Sequence, residues 1–332
     1  MYRQLTVGVL FISVLTLAVS AIGAAAIAGD ATQATPAQLV DSLHQAFGNH
    51  HVRAVHAKGI LLEGEFRPDP SATRLTRSPL FAGPSVPLLA RFSDFTGLPD
   101  IPDTAPEANP RGFAMKFTLQ GGQTMDVVTH SFNGFPVATA NDFAELMRAI
   151  GASGATATKP TALDAFLDAH PVAKRFLTSQ KPAPESYATL SFFGVNSFTF
   201  TNADGVHTQV RYRFVPVEGE KYLDAVAIAA KSPNYLMDEV GKRVEQAPVV
   251  FDWYAQIASK TDAIADPSIA WPEDRKLVKL GTVTLKRLVS DPDVKDKATM
   301  FLPGNVTAGI EPADPMIGAR TAAYPISRAN RQ

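Results

Sequence analysis

Hydrophobic residues recur along the chain with two different periods, which predict helices in some segments and strands in others. Within 35–47, Leu39, Leu43 and Phe47 are four residues apart, a spacing typical of the buried face of a helix. Thr35 precedes this run and can accept a hydrogen bond as its N-cap. We therefore expect the folded part of the chain to begin with a helix.

Beyond this helix, short runs rich in β-branched and aromatic residues alternate with turns containing Gly, Pro and Asp. They predict strands at 52–66, 86–95, 111–119, 124–132, 191–217 and 276–288, the fifth being a hairpin that turns at 202–205. Helical periodicity predicts helices at 141–153, 161–179 and 234–258, the last with a break at Pro248. Together these segments predict one α+β domain, in which helices surround an antiparallel β-barrel core.

The first 28 residues are predicted to be a signal peptide or an N-terminal membrane anchor. A largely apolar run of 24 residues, Leu5 to Ala28, ends in Ala-Ile-Ala, which favours cleavage after Ala28. The same run is long enough to cross a bilayer of about 30 Å, so an uncleaved anchor is the alternative. We expect export to the periplasm, with a tether at 29–40 and the folded domain at 41–332.

Composition excludes several classes of function. The chain of 332 residues carries 31 basic and 32 acidic side chains and has no basic run, so no nucleic-acid partner is expected. It has no cysteine, which rules out disulfides, iron–sulfur clusters and thiolate ligands to zinc or haem. The 20 phenylalanines predict either an aromatic core or a pocket for a large flat ligand.

Two small patterns carry candidate chemistry. His56 lies in the first predicted strand, on the same face as Val52 and Ala54, where it is either catalytic or a buried structural residue. Arg320 and Tyr324 are four residues apart, which places them on one face of a helix that we expect Pro325 to close. A guanidinium close to a phenol favours the phenolate, which is a ligand for ferric haem; a surface pair is the alternative reading.

Five segments, in the same order, resemble the haem catalases. They are Val52–Gly59, Ala90–Phe95, Asn109–Phe117, Asp266–Leu285 and Gly309–Tyr324. The chain is identified as similar to the short, catalase-related peroxidase branch of that family. The resemblance implies a catalase-like fold without the C-terminal helical domain of full catalases, and a buried haem b cofactor.

The resemblance also implies a role for each site residue. His56 matches the distal base, Ser93 the residue that fixes its tautomer, and Tyr324 the iron ligand. Arg320 matches the charge partner of that ligand. The arginines that pair with the haem propionates are matched by Arg53, Arg91 and Arg331. His130 stands where full catalases have an asparagine, either as a second acid–base group or as a pocket filler, and Phe132 is assigned to the haem pocket.

Because His130 replaces the asparagine that positions peroxide, the sequence favours a peroxidase. We expect it to reduce organic hydroperoxides, and hydrogen peroxide weakly, through an oxoferryl intermediate with a small organic electron donor. A true catalase and a non-catalytic haem-binding or haem-sensing protein are the alternatives. The expected partners are the peroxide, the donor and a second copy of the chain in a homodimer.

Overall fold

Eight antiparallel strands close into a barrel in the computed structural model, which describes residues 33–331. Each strand pairs with its neighbours in the order β4-β3-β2-β1-β8-β7-β6-β5, and one pair, His130 with Phe193, joins β4 to β5 and closes the ring. A short ninth strand adds to β5. The strands are β1 (Gly59–Pro68), β2 (Val86–Ser93), β3 (Gly112–Thr118), β4 (Thr124–His130), β5 (Phe192–Thr201), β6 (His207–Pro216), β7 (Val249–Ile257), β8 (Leu277–Leu288) and β9 (Ile310–Pro312). The predicted α+β fold with an antiparallel barrel is confirmed.

Aromatic rings fill the barrel interior. Fully buried rings project inward from most strands, and they include Phe66, Phe92, Phe113, Phe117, Phe192, Phe214, Phe251 and Trp253. The rings of Phe92 and Phe113 stack with centroids 4.6 Å apart. Burying large apolar side chains is the dominant favourable contribution to folding. The aromatic-core interpretation of the many phenylalanines is therefore confirmed for the barrel.

The helices lie around the barrel. They are α1 (Pro36–Phe47), α2 (Pro79–Ala82), α3 (Ala140–Gly151), α4 (Ala162–Ala169), α5 (Pro171–Thr178), α6 (Ala225–Ala229), α7 (Tyr235–Gln246), α8 (Pro292–Ala298) and α9 (Pro315–Ala329). A second hydrophobic cluster contains Leu39 and Leu43 of α1, Met147 of α3 and Ala323 of α9. These three helices form one layer, and the candidate site lies between this layer and the barrel.

Three expectations about secondary structure were wrong. Residues 51–58 form bends and β1 begins only at Gly59, so His56 does not lie on a strand. Residues 249–257 form β7, because alternate side chains are buried in the barrel. The last helix continues through Pro325, although a proline inside a helix removes one backbone hydrogen bond.

The N-terminal predictions have different outcomes. The predicted leader, residues 1–28, lies outside the described residues. Helix α1 begins at Pro36, so the last five residues of the predicted tether belong to it, and Thr35 and Gln38 form its N-terminal capping box. Within residues 33–331, none of the helices has the length and apolar character needed to cross a membrane.

Candidate active site

A single cavity brings eight of the nine predicted site residues together. It encloses about 1370 Å³ of empty space, part of which opens to solvent. Its polar lining comes from His56, Ser93, His130, Arg53, Arg91, Arg320, Tyr324 and Arg331. Much of the remaining lining is apolar and includes Val55, Phe95, Phe135, Phe143, Phe176 and Phe301. The cavity thus combines one cluster of chemically competent groups with walls suited to a flat apolar ligand.

His56 reaches the cavity from a left-handed turn, not from a strand. Its φ is 56°, a conformation that is uncommon for residues other than glycine. Its N–H donates to the carbonyl of Phe95 at 2.9 Å. Two nitrogens of the Arg91 guanidinium donate to the carbonyls of His56 and Ala57, each at 2.8 Å. These long-range contacts hold a backbone conformation that local sequence does not favour, and the face assignment of His56 was wrong for that reason.

The imidazole of His56 is oriented by Ser93, as the resemblance implied. The Ser93 hydroxyl lies 3.0 Å from Nδ1 of His56, and the Phe95 ring packs edge-on against the imidazole at 5.6 Å between centroids. Burial is the main reason that the pKa of His56 is lowered to about 3, and the neighbouring His130, Arg91 and Arg320 contribute in the same direction. His56 is therefore neutral at physiological pH, which is the form that can accept a proton.

A glycine makes this arrangement possible. A Cβ atom added at Gly112 would lie 2.4 Å from the Ser93 hydroxyl and 2.8 Å from Nδ1 of His56. Real Cβ atoms are not found at such distances, so any side chain at this position displaces the pair.

Replacing Gly112 with alanine is expected to destabilise the fold by about 1–3 kcal/mol, the usual cost of overpacking a tight site. It should also separate Ser93 from His56. Thermal unfolding measures the first effect and the proton resonances of the imidazole measure the second. Gly154→Ala is the matched control, because nothing lies within 4 Å of an added Cβ there. Equal stability of the two variants would contradict the close approach at Gly112.

His130 has one ring nitrogen engaged and the other free. The backbone N–H of Phe132 donates to Nδ1 of His130 at 3.3 Å, which places the ring proton on Nε2. Nε2 is buried and has no hydrogen-bond partner among residues 33–331. Burial lowers the pKa of His130 to about 3, with a smaller effect from Arg320 in the same direction. His130 is thus a neutral side chain with an unsatisfied N–H donor on the cavity wall.

The phenol of Tyr324 is held by the predicted arginine. Nη2 of Arg320 donates to the Tyr324 hydroxyl oxygen at 2.8 Å, one helical turn away on α9. Nη1 of Arg320 donates to the side-chain oxygen of Asn196 at 2.6 Å, and the Asn196 amide donates to Asp314 at 2.6 Å. Asp314 also caps the N-terminus of α9. A surface pair is therefore excluded, because the guanidinium is fixed to β5 and to the cap of its own helix.

Three arginines converge at one end of the cavity around a single carboxylate. Asp296 on α8 pairs with Arg53 and with Nε of Arg91, the latter at 2.7 Å. Nη1 of Arg331 donates to the carbonyl of Thr299 at 2.9 Å, and its Nε is buried without a partner among the described residues. Among residues 33–331, three positive charges face one negative charge here, so this end of the cavity has an excess of two positive charges and attracts anions.

Two sets of polar residues near the site were not foreseen. Asn196 lies outside the five segments that resemble the catalases, whereas Asp314 lies within Gly309–Tyr324. Their roles follow only from their packing beside Arg320. Behind His56 and Ser93, Arg111 pairs with Asp94 in a fully buried ion pair, and Lys58 pairs with Asp103. Buried ion pairs of this kind specify one arrangement of the chain. Arg111 lies in Asn109–Phe117, one of the segments that resemble the catalases, but the sequence of that segment does not show that Arg111 is buried.

Phe132 is the predicted residue that the cavity does not include. Its ring packs on Phe176 at 5.1 Å between centroids, and Phe135 lines the cavity in its place. Strand β4 ends at His130 and the chain then turns. The rule that successive side chains point to opposite faces of a strand therefore no longer applies at Phe132. Phe132 therefore lies outside the cavity lining, and its assignment to the haem pocket stays a prediction.

The residues present fit a haem. Within residues 33–331 no cluster of three or more His, Asp or Glu side chains could hold a bare metal ion, whereas a haem iron needs a single axial ligand from the protein. Tyr324 offers a phenol oxygen to the cavity. The positive charge around Arg53, Arg91 and Arg331 suits the two carboxylates of the haem, and the apolar walls suit its macrocycle.

The chain is similar to known proteins in both sequence and fold. A family model described as "Catalase" matches residues 34–332. The catalase-related peroxidase of Synechococcus elongatus is 35% identical over 94% of this chain and 93% of its own length. That of Mycolicibacterium paratuberculosis is 37% identical over 88% of this chain and 93% of its own length. The solved structure of a bacterial catalase aligns with a TM-score of 0.74 at 23% identity, covering 84% of this chain and 57% of that one, which shows the shared fold.

Proposed function

The chain belongs to the catalase family, and on that premise we propose that it is a haem-dependent peroxidase that reduces organic hydroperoxides. Its relatives of similar length are named catalase-related peroxidases, which supports an oxidoreductase of the peroxidase type. The observation that carries the proposal is the cavity shared by a neutral histidine, an arginine-held tyrosine and an arginine cluster.

Tyr324 would hold the iron of haem b, and Arg53, Arg91 and Arg331 would hold its carboxylates. Arg320 would hold the Tyr324 oxygen in position through the hydrogen bond that its Nη2 donates. When bound, the haem would supply the redox-active iron that neither histidine nor tyrosine can replace. The surrounding protein supplies orientation, charge compensation and proton handling.

His56 would move the proton of the peroxide. Its neutral imidazole accepts the proton from the oxygen that remains at the site and returns it to the leaving oxygen, which departs as an alcohol. The low pKa of His56 keeps this base unprotonated between substrate molecules. Ser93 prevents the ring from turning away between the two transfers.

His130 would donate a hydrogen bond to the bound peroxide. Its proton is held on Nε2 by the contact of Nδ1 with the backbone, and Nε2 has no other partner among the described residues. A neutral imidazole with a pKa of about 3 does not supply a proton at neutral pH. The role of His130 is therefore to position the peroxide and not to act as a second acid.

Haem titration followed by turnover tests the proposal. We expect the purified protein to bind one haem, with a Soret band that saturates at an equimolar ratio. The loaded protein should reduce tert-butyl hydroperoxide only when a phenolic donor is present, and should release little oxygen from hydrogen peroxide. The absence of a Soret band after haem addition would overturn the proposal. Oxygen release faster than donor oxidation would indicate a true catalase instead.

A further inference from the structure

A second groove lies next to the candidate active site and shares one residue with it. This outer groove is lined by Lys297, Met300, Pro325, Arg328, Ala329 and Arg331, and encloses about 540 Å³ of empty space, part of it open to solvent. Arg331 also lines the central cavity. A molecule in the outer groove would therefore lie beside the arginine end of the cavity without entering the space that His56 occupies.

The outer groove carries positive charge and has no acidic residue in its lining. The nearest carboxylate of the arginine cluster, Asp296, is engaged by Arg53 and Arg91. The pKa of Arg331 is lowered to about 10, mainly by burial; Asp296 opposes this shift, and the like charges of Arg91 and Arg328 add to it. Lys297, Arg328 and Arg331 therefore lie together in the groove, and no Asp or Glu among the described residues lines it.

Charge matching separates the roles of the inner and the outer cations. The excess of two positive charges around Arg53, Arg91 and Arg331 would be neutralised by the two carboxylates of the proposed haem. Lys297 and Arg328 would remain as positive charges, because neither pairs with a carboxylate within residues 33–331. The remaining lining, Met300, Pro325 and Ala329, offers apolar contact to a ring or a short carbon chain. A small organic anion with an apolar body matches both features.

We propose that the outer groove binds the electron donor, and that this donor is a small organic anion able to give up one electron. The inference rests on the proposed peroxidase function and adds the class and the location of the second substrate. The groove would keep the donor beside Arg331, one of the residues proposed to hold the haem, while the peroxide would occupy the cavity with His56. Reduction then does not require the donor and the peroxide to exchange places.

The overall reaction balances with two donor molecules for each peroxide. Each donor anion AH⁻ loses one electron and one proton and leaves as the radical anion A•⁻. The peroxide ROOH gains two electrons and two protons, its O–O bond breaks, and it leaves as ROH and water. No oxidant or reductant other than the peroxide and the donor is needed.

The test compares an anionic donor with its neutral counterpart. The probes are 3-(4-hydroxyphenyl)propionate and its primary amide, which present the same phenol with and without a negative charge. Wild-type protein should have a lower KM for the propionate than for the amide. In the double variant Lys297→Gln/Arg328→Gln, the ratio of the KM for the amide to the KM for the propionate should fall about 5- to 20-fold, as expected for the loss of two exposed charges.

A matched control removes the same charges elsewhere. Lys286→Gln/Arg287→Gln also replaces one lysine and one arginine, on exposed positions of β8 that pair with surface glutamates. It should keep the wild-type preference for the propionate. In wild-type protein, raising the ionic strength from about 0.02 to 0.2 M should raise the KM for the propionate and not for the amide, because salt screens exposed charges.

A readout without turnover completes the test. Equilibrium dialysis of the propionate against haem-loaded protein, without peroxide, should show binding that the Lys297/Arg328 variant weakens. Equal KM values for the two probes in wild-type protein, or an unchanged preference in that variant, would overturn the donor site while the peroxidase stands. Failure of haem binding, or of peroxide reduction with every donor, would overturn the proposed function and this inference with it.

Discussion

Peroxide reduction is expected to fall about 10²- to 10⁴-fold when His56 is replaced by alanine, the range typical for removal of a general acid–base group. The base that transfers the proton is lost, whereas the groups proposed to hold the haem are retained. Stopped-flow mixing of the haem-loaded variant with tert-butyl hydroperoxide measures the effect. A Soret titration shows that the cofactor is still bound.

The left-handed backbone at His56 calls for a second variant. Asparagine adopts a positive φ more readily than alanine, so His56→Asn keeps the turn and still removes the base. Both variants should be similarly slow, and the asparagine variant should be the more stable in thermal unfolding. Wild-type turnover in either variant would rule out His56 as the proton carrier.

The pH profile of the wild-type protein follows from the same residue. Because the pKa of His56 is lowered to about 3, its basic form persists from neutral pH down to mildly acidic pH. Turnover should therefore be independent of the His56 charge between about pH 5 and 8 and should fall only as the pH approaches 3. An acid limb centred near pH 6.5 would show that the imidazole is solvated.

The second large effect is expected for Tyr324→Phe, which removes the oxygen proposed to bind the haem iron. Peroxide reduction should fall by more than about 100-fold, beyond the 10- to 100-fold cost of losing an outer-sphere partner of a metal ligand. The Soret band should shift and the haem affinity should decrease. Both changes arise from the iron ligand, so they distinguish Tyr324 from a residue that only shapes the cavity.

Tyr254→Phe is the control for this substitution. It removes the same hydroxyl from a tyrosine of β7 whose oxygen contacts Asp252. It should leave the Soret band and turnover at wild-type values. An unchanged Soret band in Tyr324→Phe would show that the iron ligand lies elsewhere, while the cavity and the family membership would stand.

The strands of the barrel were predictable, and the reasons are local. Alternation of apolar and polar residues and clear turns identified β1 to β4 and β8, because one face of each strand is buried in the barrel. The segment of β7 was assigned to a helix because it follows α7 after only two residues and helical periodicity runs into it. Its alternating burial depends on pairing with β6 and β8, which are distant in sequence.

The site was predictable in its residues and less so in its geometry. His56, Tyr324 and Arg320 came from short motifs, and their side chains reach the same cavity. The turn at His56 could not be predicted, since Phe95 and Arg91 fix it from elsewhere in the sequence. The positive charge of the arginine cluster is partly balanced by Asp296, which is 205 residues from Arg91 in the sequence. No local sequence pattern could have predicted that pair.

The two tasks of Arg91 place a constraint on how this protein can change. Its guanidinium donates hydrogen bonds to the carbonyls of His56 and Ala57. It also pairs with Asp296 at the end of the cavity where the arginines cluster. A lysine at this position could keep the charge, but its single ammonium cannot reproduce the same fork of donors. A substitution of Arg91 that changes the affinity for the proposed haem would therefore also displace His56, the proposed base. Affinity and catalysis therefore cannot be optimised independently at this residue, and adaptation of either must come from other positions.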